Sequence, residues 1–390
     1  MPGVRVAPPA VRAIAIAVAV ATLGTGTDAR AQGALTDSTP ATPEYFPRGG
    51  PLAHLHLVPY GDVRLWAERV EHRPGIPDPL ERRRATLRVG LDWGPWGRWP
   101  VEARAGARAS LGSDRNPEGR ASFDNLAGDT VEVDELVARA SSPRGDAIAL
   151  GKMRMPLALS ELLWDVDLRP VGVGLRVPVG PVGPVSIRIA GAVLTRARFS
   201  TDDARVAAVQ AGARWESAPD TRAEVELSYL AFNHLEDLPE QGFARQNASV
   251  VGTTGRSLAS EFRILDLQWA GERRWGAWPV SIRLEGSRNL AVDRDRDAAR
   301  TRLAVGGAGA PYGLEIGWVY QRIEREAVCG AFNSDDWWFH SRARGNLVWG
   351  AGGVGGPLLV RASMFFERRD DLAQETRRYR LEVAARVPER

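Results

Sequence analysis

Polar and apolar residues alternate strictly along much of the chain. Between Val101 and Ser110 the apolar positions Val101, Ala103, Ala105, Ala107 and Ala109 interleave with Glu102, Arg104, Arg108 and Ser110. Successive side chains of a strand point to opposite faces, so this stretch predicts a strand with one oily and one charged face. The same alternation recurs at Ala85/Leu87/Val89/Leu91/Trp93, Ala223/Val225/Leu227/Tyr229, Leu314/Ile316/Trp318/Tyr320 and Tyr379/Leu381/Val383/Ala385/Val387. Its polar face is rich in ions, among them Arg88, Arg188, Arg214, Glu226, Arg283, Glu285, Arg300, Arg302, Arg361 and Glu382.

Read throughout, the pattern predicts sixteen strands, near residues 63–70, 84–93, 101–110, 131–140, 146–153, 171–177, 185–194, 205–215, 221–232, 261–270, 278–289, 298–307, 313–323, 337–349, 358–366 and 377–387. Soluble sandwiches also alternate, so the connections have to discriminate. Every second connection is short and rich in Gly or Pro, such as Gly94–Pro100, Ser141–Gly145, Glu216–Asp220 and Gly350–Pro357. Several of the others are long: Leu111–Thr130, Arg154–Pro170, Asn233–Ser260 and Glu324–Asp336. Short turns at one rim, long loops at the other and an even strand count are the anatomy of a transmembrane barrel. The expected fold is therefore an all-β antiparallel transmembrane β-barrel, with short periplasmic turns and long extracellular loops. Hydrocarbon tolerates no unpaired sheet edge, so the last strand must pair with the first. A barrel of this size is expected to keep a water-filled bore, with its inner charges solvated rather than buried. Trp93, Trp96, Trp99, Trp215, Trp269, Trp275, Trp278 and Tyr312 crowd the short turns, where an interfacial girdle would sit.

The amino-terminal region reads differently. Arg5 and Arg12 precede the apolar run Ala13–Leu23, and Ala29-Arg30-Ala31 offers a cleavage site, so residues 1–31 are expected to be a secretory signal peptide. Residues 32–60 then form a periplasmic lead-in, and 61–390 the barrel. The expected location is a Gram-negative outer membrane.

Composition narrows the function. The chain has 51 basic against 48 acidic residues, for a net charge of +3, and shows no clustered basic excess of the kind a nucleic-acid partner needs. The single Cys329 excludes an internal disulfide. His340, beside Asp335, Asp336 and Ser341, reads as a water-exposed rim histidine rather than a catalytic base. His54-x-His56 supplies half a metal site at best. No cofactor, metal or catalytic residue is expected.

Two stretches look familiar. Gly151-Lys152-Met153-Arg154-Met155-Pro156, followed by Leu162-Leu163-Trp164-Asp165-Val166-Asp167-Leu168, resembles a passage of a porin family of Gram-negative outer membranes. Ser334-Asp335-Asp336-Trp337-Trp338-Phe339, with Arg344-Gly345 and Phe365-Phe366-Glu367-Arg368-Arg369, is similar to that family's carboxy-terminal hairpins. The resemblance implies a general or anion-preferring diffusion channel, commonly a homotrimer, without cofactor. Such barrels end on an aromatic residue read by the outer-membrane assembly machinery. Here Val387-Pro388-Glu389-Arg390 stands in its place, which displaces the signal to Tyr379–Val387.

In general porins the third outward loop folds into the bore. Here that loop, Arg154–Pro170, brings Glu161, Asp165 and Asp167, and the wall offers Arg104, Arg108, Arg188, Arg361, Arg378 and Arg380. Acidic loop against basic wall would set up a transverse field that favours anions. The alternative for Asp165 and Asp167 is to cap the loop's own backbone. The function expected is passive diffusion of small hydrophilic solutes or ions, with the lipid bilayer and lipopolysaccharide as surroundings. The rival readings are an outer-membrane barrel enzyme of lipase or protease type and a non-conducting receptor or scaffold barrel.

Overall fold

The computed structural model describes residues 57–387 apart from 95–100, 113–129, 143–144, 183–184, 196–203, 219, 237, 240–243, 253–254, 310–311 and 356. The proposed signal peptide, His54, His56, Trp96 and Trp99 lie outside the described residues.

The first nine strands follow in order: β1 (Leu57–Glu71), β2 (Leu80–Trp93), β3 (Val101–Gly112), β4 (Thr130–Ser141), β5 (Ala147–Lys152), β6 (Val171–Val182), β7 (Val185–Thr195), β8 (Arg205–Ala218) and β9 (Thr221–Asn233). A hairpin of β10 (Ser249–Gly252) and β11 (Gly255–Leu258) follows. Then come β12 (Arg263–Trp275), β13 (Trp278–Asn289), β14 (Asp297–Gly306), β15 (Leu314–Ile323), β16 (Ala343–Gly355), β17 (Leu358–Arg369) and β18 (Thr376–Val387). Every strand but β10 and β11 joins one closed antiparallel barrel, so the barrel has sixteen. Closure is made by β1 and β18, in register from Gly61↔Val387 to Glu71↔Arg377.

The alternation that predicts the strands also sorts their faces. On β2, Leu80, Arg82, Arg84 and Thr86 are buried while Glu81, Arg83, Val89 and Leu91 are exposed. Large apolar side chains such as Val131, Leu136, Leu150, Leu267 and Ile316 lie bare on the outside, as a lipid-facing band requires. Trp275, Trp278 and Tyr312 are exposed at the short-turn rim.

Several boundaries differ from the sequence reading, and two of the differences, with one added hairpin, bear on the site. β1 starts at Leu57, so Leu57–Tyr60 belongs to the barrel and not to the lead-in. β16 starts at Ala343 rather than 337, because Trp337, Phe339 and His340 are buried in a loop inside the barrel mouth. The long connection after β9 carries a hairpin of its own.

The largest departure concerns the bore. Its half toward the long-loop rim is filled, so many lumen charges are buried and not solvated. Residues 153–170, between β5 and β6, and 324–342, between β15 and β16, both fold inward. Leu157, Leu159, Leu162, Leu163, Trp164 and Leu168 of the first loop pack with Val328, Cys329 and Phe332 of the second, and with Val206, Leu230, Phe232 and Ile264 of the wall. Trp164 and Phe232 each pack a tilted ring against Phe332, with centroids 5.4 and 5.0 Å apart. Apolar side chains inside a wet pore find shelter only against one another, and two loops with a matching wall provide it.

Candidate functional site: an arginine-lined passage between two inward loops

Burial of those loops still requires partners for their polar backbone. At mid-height Gln210 donates to the Ala158 carbonyl (3.0 Å) and accepts from its amide (2.9 Å), while Gln268 donates to the same carbonyl at 3.2 Å. Ser160 donates to Glu285, and Arg300 holds Glu161 at 2.6 Å. The loops also bind each other: the Asp165 amide donates to the Phe332 carbonyl (2.7 Å) and the Ser334 amide to that of Glu161 (2.9 Å).

Pinned in this way to the β8–β14 side, the two loops leave open ground against β1, β2 and β18. A small polar pocket remains there, lined by Arg64, Trp66, Arg82, Arg84, Arg88 and Arg380 on the wall and by Asp167, Asp335 and Asp336 on the loops. Alternation explains the wall: Arg82, Arg84 and Arg88 share one face of β2, and Arg64, Trp66 and Glu68 one face of β1. Five arginines thus meet three carboxylates across the passage. Trp66 braces them from the side, with the guanidinium carbons of Arg380, Arg84 and Arg82 at 5.0, 5.4 and 5.5 Å from its ring.

The ion pairs are ordered. Asp167 is bonded by Arg88, and its carbonyl accepts from Arg108 at 3.0 Å. Asp336 meets Arg380 at 2.5 Å. Glu68, fully buried, receives Arg82 (2.5 Å), Arg378 (2.6 Å) and Arg380 (2.9 Å). Burial alone would raise the Asp336 carboxyl, but Arg380, Arg64 and Arg378 together bring it down to about 2. Burial likewise opposes ionisation of Asp167, and Arg88, Arg64, Arg108 and Arg169 together hold it well below the usual carboxylate range.

The residues named from sequence are distributed unevenly over this site. Asp167 and Arg380 line the passage, and Arg108 supports the loop that carries Asp167. Asp165 serves the backbone instead: its carboxylate accepts from the Asp167 amide at 2.8 Å. Glu161 sits away from the passage on Arg300. Arg378 is fully buried between wall and loop, where it bonds Glu68 at 2.6 Å, donates to the Asp336 carbonyl at 2.5 Å and packs on Phe365. Arg104 and Arg361 stand elsewhere in the bore, the first bonded to Asp92 at 2.6 Å, the second 4.9 Å from the Trp349 ring. Arg188 falls on β7, and its side chain lies outside the described residues. His340 is not a rim residue open to water: it is buried, 2.5 Å from Arg245 and 2.8 Å from Asn333.

Sequence reasoning left out Arg64, Arg82, Arg84 and Arg88 as site residues, although the run Arg82/Arg84/Thr86/Arg88 repeats with the period of two. A bulge hid two more. The β3–β4 register skips from Gly106↔Glu135 to Ala107↔Val133, so Asp134 and Glu135 are both buried on the lumen side. Arg88 and Arg108 approach Asp134 at 3.6 Å each, and Arg154 and Arg104 approach Glu135 at 3.1 and 3.3 Å.

The architecture resembles that of solved porins. Pseudomonas putida OprB aligns with a TM-score of 0.59 at 10% identity, over 86% of this chain and 95% of its own. Salmonella typhi OmpF, solved with daunomycin, aligns at 0.52 and 11% identity, over 85% and 97%. A loop-deleted OmpT, an outer membrane protein of Vibrio cholerae, aligns at 0.50 and 10%, over 85% and 99%. No family model and no curated protein matches the sequence. What these comparisons share with the chain is its architecture: this protein has the fold of the outer-membrane porins, a closed sixteen-stranded antiparallel barrel with loops folded into its bore.

Proposed function

We propose that the protein is a passive outer-membrane channel for small hydrophilic solutes and that it favours anions. One observation carries the reading: the ground left open by the inward loops is lined by five arginines against three carboxylates. Fixed charges in a narrow, low-dielectric passage concentrate the opposite ion and raise its permeability. Asp167 and Asp336 contribute chiefly by fixing the arginines opposite them. Reading the short-turn rim, which also holds both ends of the barrel sheet, as periplasmic places both inward loops at the outer mouth. The same reading takes in insertion by the outer-membrane assembly machinery through Tyr379–Val387, lipopolysaccharide as a neighbour, and packing as a homotrimer.

His340, packed against Arg245 and Asn333, supports a channel over a hydrolytic barrel. The filled outer half of the bore favours a second reading, a non-conducting receptor barrel. Planar-bilayer recording of the refolded protein tests both. Discrete open steps, with a reversal potential displaced toward the anion in a salt gradient, are expected. Cation preference overturns the charge assignment, and silence transfers the protein to the receptor class.

A further inference from the structure

The barrel's outer face carries arginines near its long-loop rim, and several are answered by an acid of their own strand, the neighbouring strand or the adjoining loop. Arg69 bonds Glu71 at 2.8 Å, Arg263 bonds Glu261 at 3.0 Å, Arg288 bonds Asp297 at 2.6 Å and Arg377 bonds Glu375 at 3.1 Å. On β15, β16 and β17 the arrangement is different. Arg344 pairs directly with Arg322 on one side and with Arg368 on the other, so three arginines stand abreast on adjacent strands.

All three face outward. Arg322 is exposed between buried Gln321 and Ile323, and Arg344 between buried Ala343 and Gly345, while Arg368 shares its face with exposed Met364 rather than with buried Phe365 and Glu367. Like charges directly opposite one another in a sheet are destabilising, so such a row needs an anion to stabilise it. Among the described residues the ion pairs give the row one acid: Glu324 reaches Arg322 at 3.5 Å at one end, while Glu375 is engaged by Arg377 and Asp371 by Arg369 and Arg342. Toward the short-turn rim Asn346, which accepts from Trp318 at 3.1 Å, comes first on the same face, and the face then turns apolar, with Trp318 stacked on Tyr320, and Val348 and Met364 beside them. The row therefore marks the border between the lipid-facing band and the outward loops.

We propose that Arg322, Arg344 and Arg368 form a binding site for the phosphate groups of a phosphorylated lipid headgroup in the outer leaflet. The inference rests on the reading above that this face meets lipid and that the long loops point outward. Guanidinium forks match phosphate oxygens two at a time, and three in a row present a line of donors at headgroup level. The apolar surface beneath, with Trp318 and Tyr320 at its upper edge, accepts the acyl chains.

The test uses the full mature protein folded in neutral detergent micelles. The readout is the temperature at which the folded, fast-migrating form is lost, titrated with bis-phosphorylated lipid A, with the same lipid dephosphorylated, or with inorganic phosphate. The phosphorylated lipid is expected to raise that temperature and the other two to leave it unchanged. Arg344→Gln should weaken the apparent lipid affinity about tenfold, the loss of one charge-assisted contact, and Arg344→Lys less. Without lipid, Arg344→Gln should melt at or above the parent, because it relieves repulsion between its neighbours; a purely structural arginine would lower both. Arg263→Gln, whose arginine is already paired, should not alter the titration. An unchanged lipid response in the triple glutamine variant, or an equal response to inorganic phosphate, overturns the proposal. If the protein is silent in bilayers while the lipid response tracks the row, the channel reading fails and this site stands.

Discussion

The two sides of the bore are built from opposite chemistry. On the side of β8, β9, β12, β14 and β15 the wall turns apolar toward the outer rim and grips the loops through Leu162, Trp164 and Phe332. On the side of β18, β1, β2 and β3 the wall stays ionic and holds the same loops through Arg380–Asp336 and Arg88–Asp167. The contrast separates two tasks that a single lining could not perform. The apolar side fixes where the loops sit, and the ionic side borders the polar pocket left beside them.

Damage to the apolar side is expected to have the largest effect. Trp164→Ala removes a buried indole that packs against Phe332. It should cost the loop seat about 3–5 kcal/mol, the usual range for a large aromatic lost from a core. The strand ladder does not depend on that contact, so the barrel should still close and insert. Single-channel conductance should rise severalfold and limited proteolysis should cut within residues 153–170. Conductance that stays at the parent level would mean that the loops are held from the ionic side alone.

Arg88→Gln strikes the ionic side. It leaves Asp167 buried without its closest cation, an arrangement that typically costs about 3–5 kcal/mol, although Arg108, through the Asp167 carbonyl, keeps part of the anchorage. Selectivity should respond more than conductance, with the reversal potential in a salt gradient moving toward the cation. Equal movement in Arg104→Gln, whose arginine does not line the passage, would blur the assignment of the selective arginines.

Acid gives a milder perturbation of the same side. The Asp336 carboxyl is held at about 2, below its unfolded value, so its contribution to stability is complete above about pH 4 and is lost as pH falls through 2. The Asp336 contribution should therefore be constant from pH 7 to about 4, selectivity should be flat over that range, and the Arg380 contact should weaken only below it. Asp336→Asn should show the altered selectivity at neutral pH and lack the acid step. A parent transition near pH 5 would assign the titration to a different carboxyl.

How much of this was legible beforehand follows from the period of two. Every barrel strand overlaps the stretch where the alternation places it, with the largest misses, six residues, at the start of β1 and at both ends of β16, because a one-residue slip would turn the apolar face inward. β16 begins late because Trp337–His340 reads as a strand start, yet Trp337, Phe339 and His340 are buried in the loop core. The filled bore was visible in principle wherever alternation fails: Tyr229-Leu230-Ala231-Phe232 is apolar on both faces, and Leu230 and Phe232 turn out to be the inward pair. A lumen-facing apolar residue asks for a partner inside the barrel, and Leu162-Leu163-Trp164 was that partner. The bulge at Asp134 is also written locally, since the exposed apolar positions shift from Val131 and Val133 to Leu136 across two consecutive acids; the pairing of Asp167 with Arg88 and of Asp336 with Arg380 depends on where two long loops land, which no local pattern encodes.

The seam between the two sides offers the finest probe. Gln210 lies on β8 just below the apolar cluster, where it holds the Ala158 amide and carbonyl and donates to Ser228 at 2.9 Å. Gln210→Ala should cost about 1–3 kcal/mol, the range for stranding a buried polar group, and toward its low end because Gln268 still donates to the Ala158 carbonyl. That is too little to release a loop seated by Trp164 and Phe332. Its mean position should hold while its excursions grow, so open-channel noise should increase at unchanged mean conductance and unchanged reversal potential. A change in selectivity instead would show that the apolar side sets the charge geometry of the passage as well as the loop position, and the division of labour between the two walls would fail.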